Sequence, residues 1–130
     1  MKTVFRLIAA ALVLPQAGFA DPSMECSVNV GSQGEIRACV AEAEAAVDQT
    51  IESSLGFAME AAGELDEITG RAVAVPTLEA GQAAWSAYRD AHCGFVGATF
   101  GGGSGTGIAI QSCRVELGCA RVSELMAFTQ

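Results

Sequence analysis

Residues 82–113 read QAAWSAYRDAHCGFVGATFGGGSGTGIAIQSC and hold the only Trp, Tyr and His of the 130-residue chain, with two of its five cysteines. Up to about Val96 the spacing predicts an amphipathic helix, because Leu78, Gly81, Trp85, Arg89, His92 and Val96 recur at three- and four-residue steps on one stripe. Gly101, Gly102, Gly103, Gly105 and Gly107 then end it. Glycine loses more backbone entropy in a helix than any other residue, and it permits the positive φ of a tight loop. A further helix starts after Gly107 on this reading, which puts Cys93 near the end of one helix and Cys113 near the start of the next. A short connection between antiparallel helices brings such side chains together, so a disulfide there would close the base of the loop.

Upstream, Ser32 to Glu35 has the S-x-x-E form of a capping box and predicts a helix start. Ile36, Cys39/Val40, Ala43, Val47, Ile51, Leu55, Met59, Ala62 and Leu65 continue one apolar stripe from it, with Gly56 and Gly63 as places for a bend. Asp21 to Gly31 lacks a helical period and reads as an extended arm. Cys26 in that arm lies 13 residues before Cys39, and a bond between them would staple arm to helix. The Val-rich stretch between Gly70 and Pro76 breaks the pattern, and Thr77 is placed to cap the next helix. Downstream of the glycines, Ile110, Cys113/Arg114, Leu117, Arg121, Leu125 and Phe128 mark a last helix. Cys119 is six positions past Cys113 and points elsewhere on that helix, so one of the two is an odd thiol.

Residues 1–20, MKTVFRLIAAALVLPQAGFA, have Lys2 and Arg6 ahead of a short apolar run and small residues at Gly18 and Ala20. That is the form of a secretory signal cleaved after Ala20, too short to span a bilayer. An exported, cysteine-rich chain is expected to form disulfides and to reside in the periplasm. Without Lys2 and Arg6, the 7 basic side chains fall to 5 against 15 acidic ones, and the formal charge moves from -8 to -10. Such a surface repels nucleic acid and anionic membrane and favours a cationic partner. Residues 21–130 are expected to form one domain: an all-α, disulfide-stapled bundle of three main helices, with a glycine-rich loop between the second and third.

Several sharper chemistries find no support. The glycines lack a G-x-x-x-x-G-K-[ST] phosphate loop, and no Lys follows Lys2. His92 and Cys93 are adjacent on a helix, about 100° apart, which is poor geometry for a thiol–imidazole dyad, and the cysteines lack C-x-x-C zinc spacing. No cofactor or metal is expected, and no acid, base and nucleophile converge to suggest an enzyme. Arg89 is read either as a buried Arg held by an acid such as Asp48, or as a surface Arg for a partner's carboxylate. The segment Gly101, Gly102, Gly103, Ser104, Gly105, Thr106 and Gly107 is read either as a plain connector or as a loop able to enter a partner's cleft.

Taken together, Gln82, Trp85, Tyr88, Arg89, Asp90 and Cys93, then Gly102, Gly103 and Ser104, then Cys113, Leu117, Arg121 and Leu125, resemble the LprI-like domain of exported bacterial proteins. Cys26, Cys39 and Asp48 fit its upstream half. The resemblance and the helix geometry together imply bonds Cys26–Cys39 and Cys93–Cys113 with Cys119 free. Departures are Gly118 where a Thr is usual, Ile51 and Glu52 for a Leu-Asn pair, Leu55 for an aromatic, and the extra Cys119. The family is named for a lysozyme inhibitor, so the resemblance implies a periplasmic protein that blocks a cationic c-type lysozyme or related muramidase. The alternative is an envelope scaffold or interaction domain without inhibitory activity.

Overall fold

A computed structural model describes residues 21–129, and the expected signal segment 1–20 lies outside the described residues. Four α-helices follow in order: α1 (Pro22–Asn29), α2 (Gln33–Thr69), α3 (Ala74–Ala98) and α4 (Thr106–Met126), with a 3₁₀ turn at Ala127–Thr129. There is no strand among the described residues. The three long helices are where the apolar stripes put them. The expected extended arm is instead α1. Asp21 accepts a hydrogen bond from the Ser23 amide at 2.8 Å and Pro22 occupies the first turn, an N-cap and N1 pair that starts a helix without any apolar period.

The capping box at the head of α2 is formed: the Ser32 Oγ accepts from the Glu35 amide at 3.3 Å, and Glu35 Oε2 accepts from the Ser32 amide at 3.1 Å. α2 then runs unbroken through Gly56 and Gly63 for 37 residues, about 55 Å at 1.5 Å per residue. Gly70, at φ +63°, ends it by letting the Arg71 amide reach back to the Asp66 carbonyl at 3.1 Å.

α3 begins three residues before the expected Thr77 cap. Pro76 lacks an amide hydrogen, but it sits in the first turn, where no helical acceptor exists for one. The orphan amides are taken by Asp66 of α2 instead. Its carboxylate accepts from Val73 at 3.0 Å, Ala74 at 2.8 Å and Val75 at 3.1 Å.

α4 is the central element and packs against α1, α2 and α3. Its most buried side chains are Ile108, Cys113, Val115 and Leu125, with Ser112 and Gly118 between them. The stripe expected from hydropathy, which included Phe128, is therefore offset: Phe128 is exposed. A helix covered on several sides has no single apolar stripe, and small residues mark its closest contacts. A Cβ at Gly118 would run into Val47 Cγ1 of α2, and one at Gly97 would run into the Ile110 side chain. No helix of the described residues is long and apolar enough to cross a membrane.

Two core clusters result. Cys26, Val40 and Ile108 meet where α1, α2 and α4 converge. Ile51, Ala58 and Leu125 form the other, with Leu55, Leu78, Trp85 and Val122 against them. Trp85, on the stripe of an amphipathic helix and so expected to face the core, is only half-buried there.

Candidate functional site

Disulfides gather at one end of the bundle. Cys26 bonds Cys39 with Cα atoms 5.9 Å apart, tying α1 to α2, and Cys93 bonds Cys113 at 5.5 Å, tying the last turns of α3 to α4. Cys119 is free. Burial first, and then the Glu25 carboxylate, push its thiol up, which disfavours the nucleophilic thiolate. Two structural disulfides fit an extracytoplasmic, oxidising location.

Above the Cys93–Cys113 bond the chain reverses through residues 99–105, two positions earlier than the segment 101–107 expected. Thr106 and Gly107 already belong to α4, because the Thr106 amide donates to the Gly103 carbonyl at 3.1 Å and the turn winds directly into the helix. Gly107 lies against the Arg37 guanidinium of α2, so it is a packing position rather than loop. Gly101 and Gly102 adopt φ +65° and +81°, which is where the reversal needs glycine. Gly101, Gly102, Gly103 and Ser104 are exposed, while Gly105 is covered by the Phe100 ring. Phe100 and Phe95 remain 54% and 68% exposed beside the glycines. The sequence reading missed this aromatic pair. Its signal was an aromatic residue placed directly before a glycine run.

Below the loop lies an open groove of about 420 Å³ between α1, the end of α3 and α4. Asp21, His92 and Glu116 line it with Met24, Phe100 and Ser112. Burial, and then the neighbouring Asp21 carboxylate, push the Glu116 carboxyl above the usual range. Glu116 went unnoticed in the sequence because nothing there says that α1 folds back beside α4.

The motif residues do different work. Arg89, 12% exposed, places Nη1 2.8 Å from Asp48 Oδ1 of α2, and its Nε and Nη2 donate to the Arg114 carbonyl of α4 at 3.1 and 2.8 Å. This is the buried alternative for Arg89, not the partner-facing one. Arg121 Nε donates to Gln82 Oε1 at 2.9 Å, and Arg89 and Arg121 flank the Trp85 ring at 5.4 and 5.7 Å from its centroid. Arg114 bridges Glu44 of α2 at 3.3 Å and Asp90 of α3 at 3.1 Å. Tyr88 alone of the motif stacks outside this lattice, on His92 at 5.3 Å. Gln82, Trp85, Arg89, Asp90 and Arg121 thus clamp α3 to α4 and α2, and the structure does not bring them to the loop.

This arrangement shapes the surface field. Of the five Arg beyond residue 20, Arg89 and Arg114 are committed to ion pairs between helices and Arg121 to one with Glu124 of its own helix, while Glu42, Glu52, Glu60, Glu64, Glu67 and Glu79 face solvent. Among the described residues no three His, Cys, Asp or Glu side chains gather as a metal-ligand set. The family model for Lysozyme inhibitor LprI matches residues 23–125, which include both disulfides, the loop and all of the groove lining except Asp21. Neither a curated protein nor a solved structure matches the chain.

Proposed function

The chain belongs to the lysozyme inhibitor LprI family, and on that premise we propose that it binds and blocks a cationic c-type lysozyme or related muramidase in the periplasm. The family match is the observation that carries this reading. Physical fit supports it. Lysozymes of that type are basic and cleave with a carboxyl pair in an open cleft, which suits an acidic partner presenting a narrow, uncharged loop. The exposed acids accelerate encounter, and the segment from Phe100 to Ser104 occupies the cleft, with Phe100 as its apolar anchor.

The two parts fail differently in kinetics on surface-bound lysozyme. Raising salt slows association severalfold and changes dissociation little, because exposed charges are screened beyond a Debye length of about 8 Å at physiological ionic strength. Ser104→Glu, which preserves the acidic field but carries a charge into the cleft, speeds dissociation about tenfold, and Phe100→Ala does the same, as loss of an interface anchor does. Circular dichroism is the fold control. Unchanged dissociation in both variants removes the loop from the contact.

A non-inhibitory envelope interaction domain is the second reading. It is favoured by an apolar groove of about 590 Å³ at the opposite end of the bundle, flanked by Leu65, Val73 and Phe128. Absence of lysozyme binding at any salt selects it.

A further inference from the structure

The groove under the glycine loop has an acidic end without a counter-charge, although Asp21 Oδ1 also caps α1, accepting from the Ser23 amide at 2.8 Å and the Ser23 hydroxyl at 2.7 Å. Asp21 and Glu116 both face it, and no ion pair among the described residues engages either carboxylate. At its floor Ser112 is 6% exposed, and its Oγ has no hydrogen-bond partner. A buried hydroxyl without a partner forgoes the hydrogen bonds it would make to water, and a helical serine ordinarily bonds the carbonyl one turn back, as Ser54 does to Thr50 at 2.8 Å. Ser112 does not. Met24, Val96, Phe100 and Ile108 give it apolar walls, and Ser23, Ser27, Gln33 and His92 line the rest of its rim.

Apolar walls leading to two carboxylates and an unpartnered hydroxyl match one kind of side chain: a methylene stem ending in a cation. We propose that this groove receives an arginine or lysine side chain of the cationic protein partner, with Glu116 and Asp21 as counter-charges and the Ser112 hydroxyl accepting one N–H. An arriving cation also offsets the desolvation and the like-charge repulsion that hold the Glu116 carboxyl up. Phe100 and Gly105 belong to both loop and groove, so one binding face contains the two. The inference rests on the proposed inhibitory reading for its partner, but the groove chemistry can be tested without a lysozyme.

The probes are N-acetyl-argininamide and N-acetyl-lysinamide, with neutral N-acetyl-glutaminamide as control, titrated into ¹⁵N-labelled protein and followed by NMR. Saturable shifts at Gln33, His92, Ser112 and Glu116 with either cation, absent with the neutral amide, support the groove, and the stronger of the two distinguishes guanidinium from ammonium. Glu116→Gln weakens that binding about tenfold, as loss of one desolvated charge partner does, and Ser112→Ala, which is isosteric enough to keep the helix, weakens it about threefold. Shifts spread over the whole acidic surface, and unchanged by Glu116→Gln, overturn the proposal. Surface-bound lysozyme then separates the two readings. Saturable amide binding without lysozyme binding keeps the groove and removes the inhibitor, whereas lysozyme binding unaltered by Glu116→Gln keeps the inhibitor and removes the groove.

Discussion

The two ends of the bundle are held by different means. At the loop end the apolar core is three small or medium side chains, Cys26, Val40 and Ile108, and both disulfides lie there. At the other end Ile51, Ala58 and Leu125 gather Leu55, Leu78, Trp85 and Val122 around them, with no disulfide among the described residues there, and the Asp66 carboxylate joins α2 to the start of α3. The lesson concerns core size. An eight-residue helix such as α1 buries only Pro22 and Cys26, too little area to hold it in place, so a bond does so.

The largest effect that could break this comparison is loss of a staple. Closing 13 and 20 residues removes about 3 kcal/mol each of unfolded-state freedom in the chain-entropy picture. Cys26→Ser with Cys39→Ser, and Cys93→Ser with Cys113→Ser, are each expected to lower the urea midpoint by roughly 1–3 M. Hydrogen exchange localises the damage. In the first pair α1 amides open ahead of the rest while those around Ile51 and Ala58 retain their rank as the slowest. If the Ile51 cluster opens first instead, the stapled end is not the weaker one.

A middling effect is expected at the seam that both ends share. α2 packs directly on α4 at Gly118, where an added Cβ meets Val47 Cγ1. Gly118→Ala should destabilise by about 1–3 kcal/mol through overpacking. Val47→Ala on that background should return most of the loss, because the two positions are coupled by one contact. Additive losses in the double-mutant cycle would mean that the helices move apart rather than clash.

Much of the fold was legible because it is local. The Ser32–Glu35 box, the long stripe of α2, and the glycines after α3 each announce themselves within one turn of chain. What escaped depends on neighbours. Thr77 has the chemistry of a cap, but Asp66, folded back from the preceding helix, already takes the amides at Val73 to Val75. The buried face of α4 was misread because Ser112 and Gly118, which hydropathy marks as neutral, lie deeper than Phe128. The candidate site was half legible. Glycine content marked the loop, yet Thr106 and Gly107 are helical, and Glu116 joins the groove only because the Cys26–Cys39 bond seats α1 beside α4.

The smallest effect, and the one that sharpens the comparison most, lies at the unstapled end. Backbone donation from Ala74 above all, opposed by some desolvation and aided by Val75, Val73 and Arg71, holds the Asp66 carboxyl below its ordinary value of 3.8. A carboxylate whose folded value is depressed contributes stability that is fully present above the unfolded value and is lost as pH falls through the folded one. The contribution of Asp66 is therefore complete at neutral pH and disappears only below about pH 4. Asp66→Asn retains one acceptor oxygen but not the charge, so its melting midpoint should lie below wild type at pH 7, by less than either disulfide pair costs. That gap should close on acidification, because wild type then also presents a neutral side chain. Glu35 has the same sign through its bond to Ser32 but is present in both proteins, so it cancels in the difference. Exchange of the Val73, Ala74 and Val75 amides should speed up at pH 7 in the variant while α1 is unaffected. A gap that persists at low pH would show that the shape of the Asp66 side chain, and not its charge, joins α2 to α3. The unstapled end would then be held by packing alone.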